Sequence, residues 1–176
     1  ELIDTVIDYL KDKISIDETR VYASGMSNGG YMSYHLACNL DNTFAAVVSV
    51  TGSMTIDTYD DCSPSHPTAA MQIHGVQDNT VPYLGSGWSK SINDVIGYWV
   101  AYNSCNDQRE RLIKYSNQMG LINFDTYGNC LNEVNVKLIL HPEMGHNWPY
   151  IENYNIDASQ EIWDFVSQYN LYGLIN

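Results

Sequence analysis

The spacing of apolar residues along the chain predicts two kinds of element. Residues 2–13 carry apolar side chains at helical spacing, with polar residues on the opposite face, which predicts an amphipathic helix. Residues 44–50 and 69–74 are instead short, nearly continuous apolar runs. Runs of that length are typical of strands buried on both faces, as in a parallel sheet.

The rest of the pattern alternates helices with strands. Further helices are predicted over 29–40, 88–103 and 158–169, and further strands over 20–23 and 134–140. Residues 52–68 form a polar stretch typical of a loop, and residues 104–133 show no clear pattern. This alternation indicates an α/β fold with a mostly parallel sheet and helices on both faces. No repeat or linker divides the 176 residues, so we expect one domain over 1–176.

The charge balance narrows the possible functions. The chain has 8 Lys and Arg against 21 Asp and Glu, which gives a formal net charge of −13. Nucleic-acid binding needs clustered basic residues that neutralise phosphates, and an anionic membrane surface repels an acidic chain. No apolar run is long enough for a transmembrane helix. We therefore expect neither a nucleic-acid nor a membrane partner, and a neutral substrate.

Four cysteines bear on the compartment: Cys38, Cys62, Cys105 and Cys130. None belongs to a C-x-x-C pair, so the zinc-ribbon and thioredoxin patterns have no support. An even number at long spacings favours two disulfides in an oxidising compartment, with three pairings open; four buried free thiols are the alternative. We therefore expect a secreted or periplasmic protein.

One short motif indicates a catalytic nucleophile. The segment Gly25-Met26-Ser27-Asn28-Gly29 matches G-x-S-x-G between a predicted strand and a predicted helix. Such a turn would hold Ser27 in a strained conformation and leave no space for side chains at the flanking glycines. The backbone N–H of Asn28 would then face the oxyanion that develops in the reaction. An ordinary strand-to-helix turn with Ser27 as a cap is the alternative.

A serine nucleophile needs a base and a group that orients the base. Asp78 follows a predicted strand and His146 follows the last predicted strand, in the order Ser, Asp, His that α/β-hydrolases use. A plain turn residue is the alternative for Asp78, and His141 is the main rival to His146. No two histidines are spaced for a metal site, so we expect neither metal nor cofactor.

Two aromatic residues near these motifs are candidates for substrate binding. Trp148 follows His146 closely, and Tyr83 follows Asp78. Trp148 is the stronger candidate for a pocket wall, with a core aromatic as the alternative, because aromatic side chains fill cores as well as sites.

Three segments in this order resemble the polyhydroxybutyrate depolymerase-like esterases, a family close to feruloyl and acetylxylan esterases. They are residues 24–30 around Ser27, residues 74–83 around Asp78 and residues 145–149 around His146. The resemblance implies an α/β-hydrolase fold, serine esterase activity and usually secretion. It assigns the nucleophile to Ser27, the acid to Asp78 and the base to His146.

The resemblance has two further implications. The positions of the cysteines in the family imply that Cys38 pairs with Cys62 and Cys105 with Cys130. The family's second oxyanion N–H comes from a loop after an earlier strand, and the sequence before Ser27 contains neither. We therefore expect a sheet that lacks its first strands, a nucleophile strand unpaired on one side, and a missing N-terminal segment of the same fold as a partner.

Ester hydrolysis through a Ser-His-Asp triad and an acyl-enzyme is the predicted function. The expected substrate is polymeric or linked to polysaccharide: a polyhydroxyalkanoate-type polyester, or feruloyl or acetyl esters of plant polysaccharide. A catalytically silent binding module and a peptidase of the same fold are the alternatives.

Overall fold

A six-stranded sheet is the centre of the computed structural model, which describes residues 2–106, 108–115 and 120–175. The strands are β1 (Tyr22–Met26), β2 (Ala46–Val50), β3 (Ala69–Gly75), β4 (Glu110–Tyr115), β5 (Leu121–Tyr127) and β6 (Val136–His141). Their order across the sheet is β1-β2-β3-β6-β5-β4. The strands β1, β2, β3 and β6 are mutually parallel, whereas β5 and β4 are antiparallel to their neighbours. The predicted mostly parallel sheet is thus confirmed.

Six α-helices within the described residues connect or flank these strands. They are α1 (Leu2–Lys11), α2 (Asn28–Asn39), α3 (Ile56–Asp61), α4 (Ile92–Tyr102), α5 (Ile151–Tyr154) and α6 (Ala158–Val166). Short 3₁₀ turns occupy Glu18–Arg20 and Leu131–Glu133, and a two-stranded pair of β7 (Tyr169–Asn170) and β8 (Gly173–Leu174) follows α6. None of the helices in the described part of the chain is long and apolar enough to cross a membrane.

The helices pack on both faces of the sheet, as the sequence predicted. Alternate residues of β2 point to opposite sides, with Val48 in the apolar cluster beside α6 and Val47 in the cluster beside α2 and α4. Every residue of β2 and β3 is buried. The near-continuous apolar runs therefore belong to the two strands that are covered on both sides.

Three parts of the chain differ from the sequence-based expectation. The strand predicted over 20–23 lies two residues further on, because Asp17 caps the 3₁₀ turn that ends at Arg20. The predicted polar loop over 52–68 contains α3, whose first turn is capped by Thr55. The stretch over 104–133 contains the antiparallel hairpin of β4 and β5, and its residues 107 and 116–119 lie outside the described residues.

The structure pairs Cys38 with Cys62 and Cys105 with Cys130, which is the pairing that the resemblance implies. The first bridge ties the end of α2 to the end of α3. The second bridge encloses the β4–β5 hairpin.

The strand that leads to Ser27 lies at an edge of the sheet. Within the described residues β1 pairs with β2 alone, and residues 2–21 contribute no strand. This arrangement agrees with the expected unpaired side of the nucleophile strand.

Candidate active site

Ser27 occupies the sharp turn between β1 and α2. Its backbone has φ 54° and ψ −116°, a conformation that L-residues rarely adopt. The turn is held because the Ser27 N–H donates to the Val50 carbonyl at 2.8 Å, and the N–H groups of Gly30 and Tyr31 donate to the Ser27 carbonyl. The side chain makes no capping hydrogen bond to α2, which argues against the alternative of an ordinary capping serine.

The glycines of the motif have unequal roles. A Cβ at Gly25 would lie 2.7 Å from the backbone of Gly29, and a Cβ at Gly30 would lie 2.4 Å from the Ser49 hydroxyl oxygen. A Cβ at Gly29 would meet nothing within 4 Å. The expected crowding is therefore present at Gly25, and the expectation for Gly29 is wrong; the crowding at Gly30, just beyond the motif, was not predicted.

Asp78 lies in the loop after β3, with its carboxylate fully buried. One oxygen, Oδ1, accepts hydrogen bonds from the backbone N–H groups of Thr80 and Val81 at 2.9 and 2.8 Å. The other oxygen, Oδ2, lies 2.9 Å from Nδ1 of His146. Asp78 therefore closes its own turn and contacts His146 at once, so the two interpretations do not exclude each other.

His146 links the carboxylate to the serine. Its Nε2 lies 2.9 Å from the Ser27 hydroxyl oxygen, and its side chain is 22% exposed. A close approach of two loops makes this contact possible: the Gln77 N–H donates to the Met144 carbonyl, and a Cβ at Gly75 would lie 1.8 Å from that same oxygen. Glycine at position 75 thus lets the His146 loop rest directly on the Asp78 loop.

The rival histidine occupies a different environment. His141 is buried, its Nδ1 accepts the N–H of Glu143, and its ring meets Tyr154 edge to face. Burial lowers the pKa of His141. The structure therefore brings His146, and not His141, to Ser27.

A cavity of about 220 Å³ opens beside Ser27. Its lining residues are Ser27, Asn28, Tyr31, Thr55, Thr80, Val81 and Trp88. The rings of Tyr31 and Trp88 lie 5.3 Å apart between centroids, so the cavity has an aromatic wall. Tyr31 could have been found from the sequence, because it lies in the first turn of the helix that directly follows Ser27. Trp88 could not, since its position depends on the path of a loop.

The two aromatic residues singled out in the sequence lie elsewhere. Trp148 packs against the apolar cluster beside α6, and the Tyr83 hydroxyl donates to Asn93. Neither belongs to the lining of the cavity beside Ser27. Their role in substrate binding stays a prediction, as does the role of the Asn28 N–H.

The described residues contain no group of three or more His, Cys, Asp and Glu side chains that could hold a metal ion.

Comparison with solved structures identifies the fold. An acetyl xylan esterase from Aspergillus awamori superposes with a TM-score of 0.64 at 12% identity, over 94% of this chain and 65% of that one. The chain has the α/β-hydrolase fold. That fold explains why the carboxyl ends of β1, β3 and β6 carry Ser27, Asp78 and His146 in this order.

Sequence comparison finds relatives of this α/β-hydrolase chain that are named acetylxylan and feruloyl esterases. It is 27% identical over 176 residues to the bifunctional acetylxylan esterase/xylanase XynS20E of Neocallimastix patriciarum, covering 99% of this chain and 24% of that protein. It is 28% identical over 175 residues to feruloyl esterase B of Piromyces equi, covering 92% of this chain and 30% of that protein. The chain thus spans only 24% and 30% of the length of these two relatives.

A family model also matches part of the chain. Residues 3–80, which include Ser27 and Asp78, match the prolyl oligopeptidase family. The predicted resemblance to feruloyl and acetylxylan esterases is confirmed, and the resemblance to polyhydroxybutyrate depolymerases is not.

Proposed function

We propose that this chain is a serine hydrolase of carboxylic esters, with Ser27 as nucleophile, His146 as base and Asp78 as the orienting acid. The observation that carries the proposal is the continuous pair of 2.9 Å contacts from Ser27 Oγ through the His146 ring to Asp78 Oδ2. The relatives named as acetylxylan and feruloyl esterases support the same assignment.

The reaction follows from these contacts. The Ser27 oxygen attacks the ester carbonyl while Nε2 of His146 takes the hydroxyl proton. Asp78 accepts a hydrogen bond from Nδ1–H of His146, which fixes the tautomer and stabilises the imidazolium. The imidazolium then protonates the departing alkoxide and leaves an acyl-enzyme on Ser27. Water, activated by the same ring, releases the carboxylic acid and restores the serine.

The tetrahedral intermediate needs hydrogen-bond donors. The N–H of Asn28 is the first of α2, where the N–H groups have no acceptor within the helix, and it follows Ser27 directly. We assign one oxyanion contact to this group. The loss of one such donor typically costs about 10²–10³ in kcat.

Feruloyl or acetyl esters of plant polysaccharide are the substrates we propose. The names of the two relatives support them, and the aromatic wall formed by Tyr31 and Trp88 could accommodate either acyl group. A neutral polymer also suits a chain with a net charge of −13. The two disulfides favour an extracellular or periplasmic location.

Peptide hydrolysis is the second candidate. The match of residues 3–80 to the prolyl oligopeptidase family favours it, and the same triad hydrolyses esters and amides. Turnover of p-nitrophenyl acetate and of a peptide p-nitroanilide on the same preparation separates the two, because we expect the ester alone to be hydrolysed.

Labelling with a fluorophosphonate, read by intact mass, tests the nucleophile. We expect one label per chain in the wild type and in Ser159→Ala, a control that removes an exposed hydroxyl from α6. Ser27→Ala should take up no label. A folded wild-type chain that stays unlabelled, or a Ser27→Ala chain that still reacts, would refute the assignment.

A further inference from the structure

The reaction described above leaves one buried histidine beside the triad unused. His74, on β3, is completely buried, and its Nε2 lies 3.8 Å from Oδ2 of Asp78. It also belongs to a chain of buried hydrogen bonds that begins on α2, at Tyr34. Buried polar groups are costly unless they are paired, so a network of this kind is informative about what it holds in place.

The contacts of Gln72 determine the tautomer of His74. The Tyr34 hydroxyl donates to Oε1 of Gln72 at 2.9 Å, and Nε2 of Gln72 donates to the Gly52 carbonyl at 3.1 Å. The amide is thereby oriented with its NH₂ group toward Nδ1 of His74, at 3.0 Å. Nδ1 must then be an acceptor, and the ring proton lies on Nε2.

The proton on Nε2 has one acceptor, the carbonyl of Val81, at 3.0 Å. The N–H of that same residue donates to Oδ1 of Asp78 at 2.8 Å. His74 thus fixes the segment whose backbone N–H orients the catalytic carboxylate, although its own ring is too distant from the carboxylate for a hydrogen bond.

We propose that His74, held by Gln72 and Tyr34, is a positioning residue for the proposed hydrolysis, aligning the Asp78 carboxylate toward His146 through Val81. The proposal rests on the proposed function of Ser27, Asp78 and His146. It adds a residue that acts through the acid and does not itself touch the substrate.

The charge state of the ring agrees with this role. Desolvation by burial lowers the pKa of His74, against the raising effects of the Val81 carbonyl and Asp78, while the neighbouring His146 lowers it further. The other ring that faces it belongs to Tyr83, at 6.5 Å between centroids. A neutral His74 leaves the negative charge of Asp78 available to the imidazolium that forms on His146.

Two amide substitutions of His74 can distinguish a role in positioning Asp78 from a role in core packing. In His74→Gln, the amide nitrogen can take the place of Nε2 and donate to Val81. In His74→Asn, the shorter amide can take the place of Nδ1 and contact Gln72, but it cannot reach Val81. Both variants leave one polar group in the same buried site, so their packing costs are similar.

Steady-state hydrolysis of p-nitrophenyl acetate as a function of pH is the first readout. We expect His74→Gln to stay within about 3-fold of the wild-type kcat and His74→Asn to lose about 10²-fold, with KM little changed, since a small misplacement of a catalytic group costs about that much. The acidic limb of kcat/KM should move to lower pH in His74→Asn alone. Equal kcat values and equal pH profiles in the two variants would overturn the proposal.

A second readout does not depend on turnover. The proton of His146 that is shared with Asp78 gives a downfield NMR signal, which we expect to persist in His74→Gln and to shift upfield or broaden in His74→Asn. If that difference appears while the wild type takes no fluorophosphonate label, the proposed function fails and the positioning role stands. An identical signal in all three proteins refutes the positioning role even if the enzyme is active.

Discussion

The parallel and antiparallel halves of the sheet differ in how deeply their strands are buried and in the contacts that hold them. In the parallel half, β2 and β3 are completely buried, and the loops at the ends of β1, β3 and β6 bring the candidate triad together. In the antiparallel half, β4 has no buried residue, and Leu112 is 58% exposed. Ion pairs of Arg109 and Arg111 with the buried carboxylate of Asp125 join the hairpin strands.

This difference separates strands that are covered on both faces from an edge strand, β4, that is mostly exposed. Parallel strands covered on both faces derive their stability from burial, at about 25 cal/mol per Å² of apolar surface. In the hairpin, β5 still buries Ile122 and Phe124 in the core, whereas the exposed β4 is held by charge pairs and by the disulfide Cys105–Cys130 that encloses both strands. We therefore expect substitutions in the two halves to have unequal effects.

The largest expected contrast lies between two aliphatic side chains. Ile73→Ala removes a completely buried side chain from β3 and should lower the free energy of unfolding by about 2–5 kcal/mol, because it leaves a cavity. Leu112→Ala removes an exposed side chain from β4 and should change it by less than about 0.5 kcal/mol. Urea denaturation measures both. Similar losses in the two variants would mean that the hairpin is packed as tightly as the parallel half.

The disulfides provide a matched pair, since their sequence separations are 24 and 25 residues. The loss of either bridge by double substitution to alanine should therefore cost about 3 kcal/mol of stability. Fluorophosphonate labelling should slow in the variant without Cys38–Cys62, because that bridge ties together α2 and α3, whose N-terminal ends line the cavity. It should not change in the variant without Cys105–Cys130, and a comparable slowing there would show that the hairpin supports the site.

Gly75 is the residue at which the parallel half is most sensitive to an added methyl group. Gly75→Ala should reduce ester turnover by about 10²-fold, because its Cβ would collide with the Met144 carbonyl and separate the loops of Asp78 and His146. Gly97→Ala, on an exposed position of α4 with nothing within 4 Å, is the matched control. It should leave turnover unchanged and raise stability by about 0.5–1 kcal/mol. Undiminished turnover in Gly75→Ala would contradict the described contact of the loops.

The smallest expected effect is a dependence of stability on pH. Burial lowers the pKa values of His74 and His141, on β3 and β6, below the value near 6.5 expected in the unfolded chain. Below about pH 6.5 the unfolded chain binds more protons than the folded chain. The free energy of unfolding should therefore decrease as the pH is lowered, by at most about 1.4 kcal/mol for each histidine and each pH unit. Denaturation at pH 7 and pH 5.5 measures the loss. It should shrink in His74→Gln and stay the same in the control His35→Gln, which replaces an exposed histidine.

The sequence predicted the parallel half better than the hairpin, for a physical reason. Continuous apolar runs and the G-x-S-x-G turn are local signals, and they identified β2, β3 and the position of Ser27. The strand β4 is mostly exposed, so it carries no clear apolar pattern, and Arg111 meets Asp125 only after the chain has folded. The assignment of residues 1–176 to one domain stays a prediction.

The same distinction between local signals and contacts formed on folding applies to the candidate site. Ser27, Asp78 and His146 could be proposed because each follows a strand in a fixed order, whereas Trp88 reaches the cavity through a loop whose path has no signature. The link of His74 to Val81 has no signal in the sequence either, because it depends on a tautomer that only the buried neighbours define.

The backbone at Ser27 has a consequence for how this chain can evolve. At φ 54° every L-residue is strained, and glycine is the residue that would relieve the strain most cheaply. Selection for stability alone would therefore favour the loss of the hydroxyl at this position, and selection for catalysis would oppose it. The presence of serine at this position therefore indicates that selection for catalysis has outweighed selection for stability there.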